Sequence, residues 1–305
     1  MVDSQDEPHR GNNSKRLISV QFKAFGDFVI AVNSIGRRVA PAGDGIAMLV
    51  GVHLQPLLDV MDLSIPYSIL DHGERAVPAL VSVRKEGVLR ALKSAAGLKR
   101  AMMRADVPVD ALLVFDKLDK RERLLAAGRP SVALPAEDNI YFAYDRFLDR
   151  QGFGFAEAVS DAAASGPLRI FPGSRLQAKH VPLEVIETIL TTAGTCGIKA
   201  ELMLLDGESP ELEASGLPFT PVPRDFASLI AAVRGAGRVV SADSMPAHMA
   251  EYVGRPVFVY SPVPNRYWLP RSSYAGGWEA LFSDEGHAAR LAEFLNAPSG
   301  TVAAN

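Results

Sequence analysis

Short apolar runs alternate with amphipathic stretches along almost the whole chain. In the first half, the runs at 16–22 (RLISVQF), 45–51 (GIAMLVG), 67–70 (YSIL), 110–116 (DALLVFD) and 130–135 (PSVALP) read as strands. Between them, apolar residues recur every three or four positions, the spacing of one helix face. A helix is predicted from Asp27, with Phe28, Val32, Ile35 and Val39 on one stripe. A second spans about 83–104, with Val88, Leu92 and Leu98 set among Lys and Arg and an interruption at Gly97. A third, LDKRERLLAAG, ends on Gly128, where a C-cap is expected.

The stretch EDNIYFAYDRFLDRQGF then reads as a linking helix, and the small, turn-prone 160–167 (SDAAASGP) as a hinge. The alternation restarts with a strand at 168–174 and a helix carrying Ile186, Ile189, Leu190 and Ala193. Next come a strand at 199–205 and a helix with Phe226, Leu229, Ile230 and Val233 on one face. Strands at 237–242 and 256–260 flank a short helix. Continuously apolar strands between amphipathic helices predict parallel sheets covered on both faces. The expected architecture is α/β, with two doubly wound lobes at 16–150 and 165–296 and a cleft between them, and flexible tails at 1–15 and 297–305.

Composition narrows the class. The 305 residues suffice for two domains, and a formal charge of −3 gives no overall basic field for nucleic acid. One cysteine, Cys196, rules out a disulfide within the chain and suits a reducing compartment; at a predicted helix end it reads as a small filler. The six histidines are scattered without zinc spacing, so no metal is expected. No apolar run approaches a membrane span, and no secretory signal is recognised. A cytoplasmic protein is expected, with peripheral attachment to the inner membrane surface left open.

Ligands of doubly wound sheets bind beyond the carboxyl ends of the strands, so the residues following each strand carry the chemistry. After the first strand, Gly26 permits a tight turn and Asp27 opens a helix, as an N-cap or as a carboxylate facing the cleft. After the first strand of the second half, Ser174, Arg175 and Lys179 surround a helix entrance, either as an anion pocket or as a solvated basic loop. Neither a G-x-G-x-x-G fingerprint nor a P-loop is present. After the strand at 237–242 come Asp243, Ser244, Met245, Pro246 and His248. Ser244 is placed to cap, and His248 lies four residues on, on the same face of the first turn. For His248, a hydrogen-bonded core position and a phosphate contact both stay open. Arg266, Trp268 and Arg271 in SPVPNRYWLPR are further candidates to face the cleft, with surface packing as the competing reading.

Taken together, these segments resemble glycosyltransferase family 9, the bacterial heptosyltransferase family. The resemblance rests on Gly26-Asp27, on Pro172-Gly173-Ser174 followed by Lys179 and His180-Val181-Pro182, on Asp243-Ser244-Met245-Pro246-Ala247-His248-Met249-Ala250, and on Gly254-Arg255-Pro256-Val257. It covers roughly residues 16–295. It implies a GT-B fold and an inverting, metal-independent transfer from a nucleotide-diphosphate sugar, heptose-like, to a glycan or lipid-linked acceptor in cell-surface polysaccharide synthesis. It further implies that Asp27 is the base toward the acceptor hydroxyl, that Ser174, Arg175, Lys179, Ser244, Met245 and His248 lie around the donor diphosphate, and that Asp243 holds sugar hydroxyls. No cofactor beyond the donor is implied. Met245 stands where the family prefers Gly and is expected to crowd a closely approaching phosphate or sugar. Asn33 replaces a common Pro, and His180 a common aromatic. Two alternatives are carried: a nucleotide- or glycan-binding protein without turnover, and a nucleotide-sugar epimerase.

Overall fold

The computed structural model describes residues 16–39, 45–72, 75–155 and 166–298; the predicted hinge and tails fall almost entirely outside these. In the first half the elements are β1 (Leu17–Gln21), α1 (Phe25–Gly36), β2 (Arg38–Val39), β3 (Ile46–Gly51), α2 (Gln55–Leu58), β4 (Tyr67–Leu70), α3 (Val77–Leu80), α4 (Val83–Glu86), α5 (Val88–Arg104), β5 (Leu112–Phe115), α6 (Lys120–Ala126), β6 (Ser131–Ala133), α7 (Ile140–Arg150) and β7 (Gly154–Phe155). The second half holds β8 (Leu168–Phe171), α8 (Leu183–Thr195), β9 (Ala200–Leu205), α9 (Pro210–Glu213), β10 (Phe219–Val222), α10 (Phe226–Arg234), β11 (Arg238–Ala242), α11 (Met245–Tyr252), β12 (Val257–Ser261), α12 (Arg271–Gly276), β13 (Glu279–Leu281) and α13 (His287–Asn296). Two all-parallel sheets result, ordered β4-β3-β1-β5-β6 and β10-β9-β8-β11-β12-β13. In each, the chain winds outward from a first central strand in one direction, then the other. The strand order therefore reverses between β1 and β5 in one sheet and between β8 and β11 in the other, and such switch points leave crevices for ligands.

Side-chain alternation along β1 explains how its sheet is covered. Ile18, Val20 and Phe22 pack with Leu98 and Met102 of α5 and Leu125 of α6. Leu17 joins the opposite cluster, which runs without a break through α1 and α7 into Ala247, Met249 and Val259 of the second half. A further core lies beyond the second sheet, between β8 and β12 and the helices α8 and α13. Fully burying one Leu or Met contributes about 1.5–3 kcal/mol, so each face is anchored by several such residues.

Some sequence expectations are corrected. The long helix is broken at Gly87, whose φ of 75° suits glycine, and runs uninterrupted through Gly97. Val88 and Leu92, expected on its buried stripe, are exposed, and the core side is Ala91, Leu98 and Met102. α1 ends at Gly36, and Val39 lies in β2, which pairs with β7. Helix α6 ends one residue before expected: Ala127 is its left-handed C-cap, followed by Gly128 at φ 84°. The edge strands β10 and β13 were not anticipated; β10 carries Pro221, which an edge tolerates and a central strand does not.

Candidate functional site

The two switch points face each other across a cavity of about 1050 Å³. Its wall on the first half comes from Ala24–Asp27 after β1, with Pro56, Asp59 and Val60. On the second half it is formed by Gly173–Leu176 and Lys179 after β8, Glu208 after β9, Arg224–Phe226 at the start of α10, Asp243–Pro246 and His248 after β11, and Asn265 and Trp268. The rings of Phe25 and Phe226 meet at 4.8 Å across the two halves. Every candidate site residue, namely Asp27, Ser174, Arg175, Lys179, Asp243, Ser244, Met245 and His248, lines this one cavity. Of the three later candidates only Trp268 does. Arg266 pairs with Glu279 at 3.1 Å and lies over the Tyr274 ring, and Arg271 is buried against Asp145 at 2.7 Å.

Asp27 is not an N-cap. Helix α1 starts two residues earlier, at Phe25, so Asp27 is its third residue, and its Oδ2 accepts the backbone N–H of Ala24 at 3.3 Å. Gly26 likewise sits inside the helix rather than in a turn; a β-carbon there would touch the His248 ring at 3.5 Å. Burial, seconded by the charge of Asp116, pushes the Asp27 carboxyl up from 3.8 to about 6 against the opposing pull of the Ala24 N–H, Lys23 and Arg175. That value suits a group that gains and loses a proton near neutrality.

Asp116, at the end of β5, is the residue the sequence reading passed over. It is buried, accepts the Tyr144 hydroxyl at 2.7 Å and faces Lys23 Nζ at 3.4 Å. Gln21 Nε2 donates to Tyr144 Oη at 3.1 Å and to Ser19 Oγ at 2.9 Å, so the inward polar pair of β1 completes the network. The two carboxylates, Asp27 and Asp116, also raise the phenol of Tyr267, after burial as the larger cause. Two signals were available: Asp116 directly follows a predicted strand, and Ser19 and Gln21 are polar residues spaced by two in an otherwise apolar strand.

Across the cavity, Lys179 Nζ donates to Asp243 Oδ2 at 2.8 Å, and Asn265 Nδ2 donates to the same oxygen at 2.7 Å. Ser244 occupies the N-cap position of α11 but caps nothing; its hydroxyl donates to the Gly173 carbonyl at 3.0 Å, tying the loops after β8 and β11 together. His180 Nε2 reaches the Ser174 carbonyl at 2.6 Å and shapes the same loop. His248 is buried, shares a hydrogen bond of 3.1 Å between its Nδ1 and the Tyr141 hydroxyl, and is driven down to about 4 by that burial, although Asp243 opposes it. That shift favours the neutral imidazole at pH 7, and a core hydrogen bond and a place at the cavity both hold for this residue. Met245 lines the cavity and packs at the edge of the core shared by the two halves.

Solved structures that superpose on this chain include glycosyltransferases. A family 9 glycosyl transferase from Veillonella parvula superposes with a TM-score of 0.60 at 14% identity, over 88% of this chain and 86% of that one. The E. coli heptosyltransferase WaaC solved with ADP gives 0.59 at 11% identity, over 92% and 98%. The same enzyme with ADP-2-deoxy-2-fluoro heptose gives 0.59 at 13% identity. The fold is GT-B. No family model matches the sequence, and no curated protein matches it. The GT-B likeness is thus one of fold at low identity, spanning nearly the full length of both chains.

Proposed function

We propose that this GT-B protein is an inverting glycosyltransferase that moves a sugar, heptose-like, from a nucleoside-diphosphate donor to a glycan or lipid-linked acceptor in cell-surface polysaccharide synthesis. The observation that carries this reading is the placement of Asp27. A partly buried carboxyl, pushed up to about 6 chiefly by its loss of solvent, stands on one wall of the cleft, and cations and a helix N-terminus stand on the other. In the proposed step, Asp27 takes the proton of the acceptor hydroxyl as its oxygen attacks the anomeric carbon. The bond from that carbon to the diphosphate oxygen breaks on the opposite face, and the diphosphate leaves with the electron pair. Arg175, Lys179, and the N–H groups at the start of α11 meet the developing charge, and Asp243 and Ser244 orient the donor. This charge complement needs no metal. Neutral His248 supplies a polar edge and packing against Gly26 rather than charge. Residues 16–150 are proposed as the acceptor side and 165–296 as the donor side, working in the cytoplasm against the membrane face. Because WaaC is solved with ADP and an ADP-heptose analogue, ADP-sugars are the first donors to test.

The test is calorimetric titration of nucleoside diphosphates and their sugars into the wild-type protein and the Asp27→Ala variant, paired with a transfer assay. Tight donor binding in both, with turnover lost only in the variant, supports the assignment. Unchanged turnover in Asp27→Ala removes Asp27 as base. A second reading, binding without turnover, is favoured by Met245, a side chain at the mouth of α11 where a close approach to phosphate is expected. It predicts donor binding and no transfer with any donor.

A further inference from the structure

The first half carries an unusual helix on the side of its sheet away from the cavity. Segment 83–104 holds seven Lys and Arg against a single Glu, in a chain whose formal charge is −3. That Glu, Glu86, is engaged by Arg75 at 2.6 Å. Among the described residues Arg90 and Lys93 have no acidic partner. The segment also turns apolar side chains to solvent: Leu89 is 84% exposed, Met103 64% and Leu92 62%. At 3.6 residues per turn these three share an arc of about 60°, opposite Ala91, Leu98 and Met102, which hold α5 on the sheet. Lys93 and Arg100 flank the arc on one side and Lys99 on the other. An apolar stripe bordered by cations, on a helix already anchored by its other face, has the pattern of an element that lies in a membrane interface.

We infer that α5 docks this protein onto an anionic lipid bilayer, with Leu89, Leu92 and Met103 entering the headgroup boundary and Arg90, Lys93 and Arg100 meeting lipid phosphates. Charge complementarity selects this occupant. A second copy of the chain would set one basic face against another, and an acidic soluble partner would answer the cations but leave the leucines without an apolar counterpart. The inference rests on the proposed transfer to a lipid-linked acceptor for its purpose. α5 belongs to the same half of the chain as Asp27, and the short helix α3 that precedes it is tied to the end of β1 by the Val77 N–H, which donates to the Phe22 carbonyl.

The full-length protein is sedimented with phosphatidylcholine vesicles with and without phosphatidylglycerol, at low and high salt. The wild type is expected to bind only the anionic vesicles, more weakly as salt rises. Each Lys or Arg near such a surface contributes about 1 kcal/mol, about fivefold in partitioning, so Arg90→Ser with Lys93→Ser should weaken binding by about 25-fold. Leu89→Ser with Leu92→Ser should abolish it, and Val263→Ser, an exposed apolar residue of the second half, should leave it unchanged. The altered side chains are exposed, so all variants are expected to keep wild-type melting temperatures. Equal binding to neutral vesicles, no vesicle binding, or double variants that bind as the wild type overturn the inference. So does a wild-type dimer in sedimentation velocity that the leucine variants dissociate. Nucleotide titration of the same samples separates the two readings: nucleotide binding without vesicle binding sinks only the docking surface, and the reverse sinks only the transfer.

Discussion

Asp27→Asn should make the protein more stable and catalytically dead. Asp27 is partly buried, and its carboxyl is raised from 3.8 to about 6 in the fold. The folded state thus holds that proton more tightly than the unfolded chain does. The associated stabilisation is fully present below about pH 3.8 and is lost as pH rises through about 6. Two units at about 1.4 kcal/mol each place the cost of ionised Asp27 at pH 7.5 near 3 kcal/mol. An Asn oxygen can still accept the Ala24 N–H, so little is lost in exchange. The expected gain at pH 7.5 is about 1–3 kcal/mol, a rise of several degrees in melting temperature. The assay is urea denaturation of both proteins at intervals from pH 4 to 8. Their stability difference should be smallest at pH 4, widen through pH 6 and level off above it. Transfer should fall by about 10²–10⁴, the usual contribution of a general base. A variant less stable than wild type at pH 7.5, or a difference that does not change between pH 4 and 6.5, refutes the reasoning.

Four further outcomes follow from the same geometry. Asp116→Asn removes the like charge that raises Asp27, so the acid limb of kcat/KM should move below pH 6 by less than the whole shift, since burial is the larger cause; an unmoved limb removes Asp116 from the site. Lys179→Met should weaken nucleoside-diphosphate binding by about 10- to 100-fold by calorimetry, the loss of one charge-assisted contact. Asp145→Ala takes the shared carboxylate from Arg38 and Arg271 and should cost about 1–3 kcal/mol in chemical denaturation, because Arg38 keeps Asp149 and Arg271 keeps Glu251. Tyr141→Phe strips His248 of its partner and should cost about 1–3 kcal/mol.

Sheet class and the location of the site were legible because both rest on local pattern. Apolar runs of strand length alternated with helical stripes, and the rule of looking just past each strand brought Asp27, Lys179, Asp243 and His248 to one cavity. What escaped depended on partners distant in sequence. Asp116 gains its meaning from Tyr144, 28 residues on, and His248 its neutrality from burial under the contact of α1 with α11. Val88 and Leu92 were grouped with Leu98 on one apolar stripe, yet they are exposed while Leu98 is buried, because periodicity reveals an apolar face without saying what covers it. Edge strand β10 was missed because three of its four residues are exposed and one is Pro.

Helix α7 was expected as a linker, and it serves as a ruler. Tyr141 holds His248 of the second half, Tyr144 holds Asp116 of the first, and Asp145 is shared by Arg38 and Arg271, one from each half. Its start is pinned as well, since Asn139 Nδ2 donates to the carbonyls of Arg266 and Leu269. The spacing between the two walls of the cleft is therefore written in helical pitch, about 4.5 Å of rise between the two tyrosines. One residue inserted between them would turn one wall's anchor by about 100° and put the two walls out of phase, with no residue that lines the cavity changed.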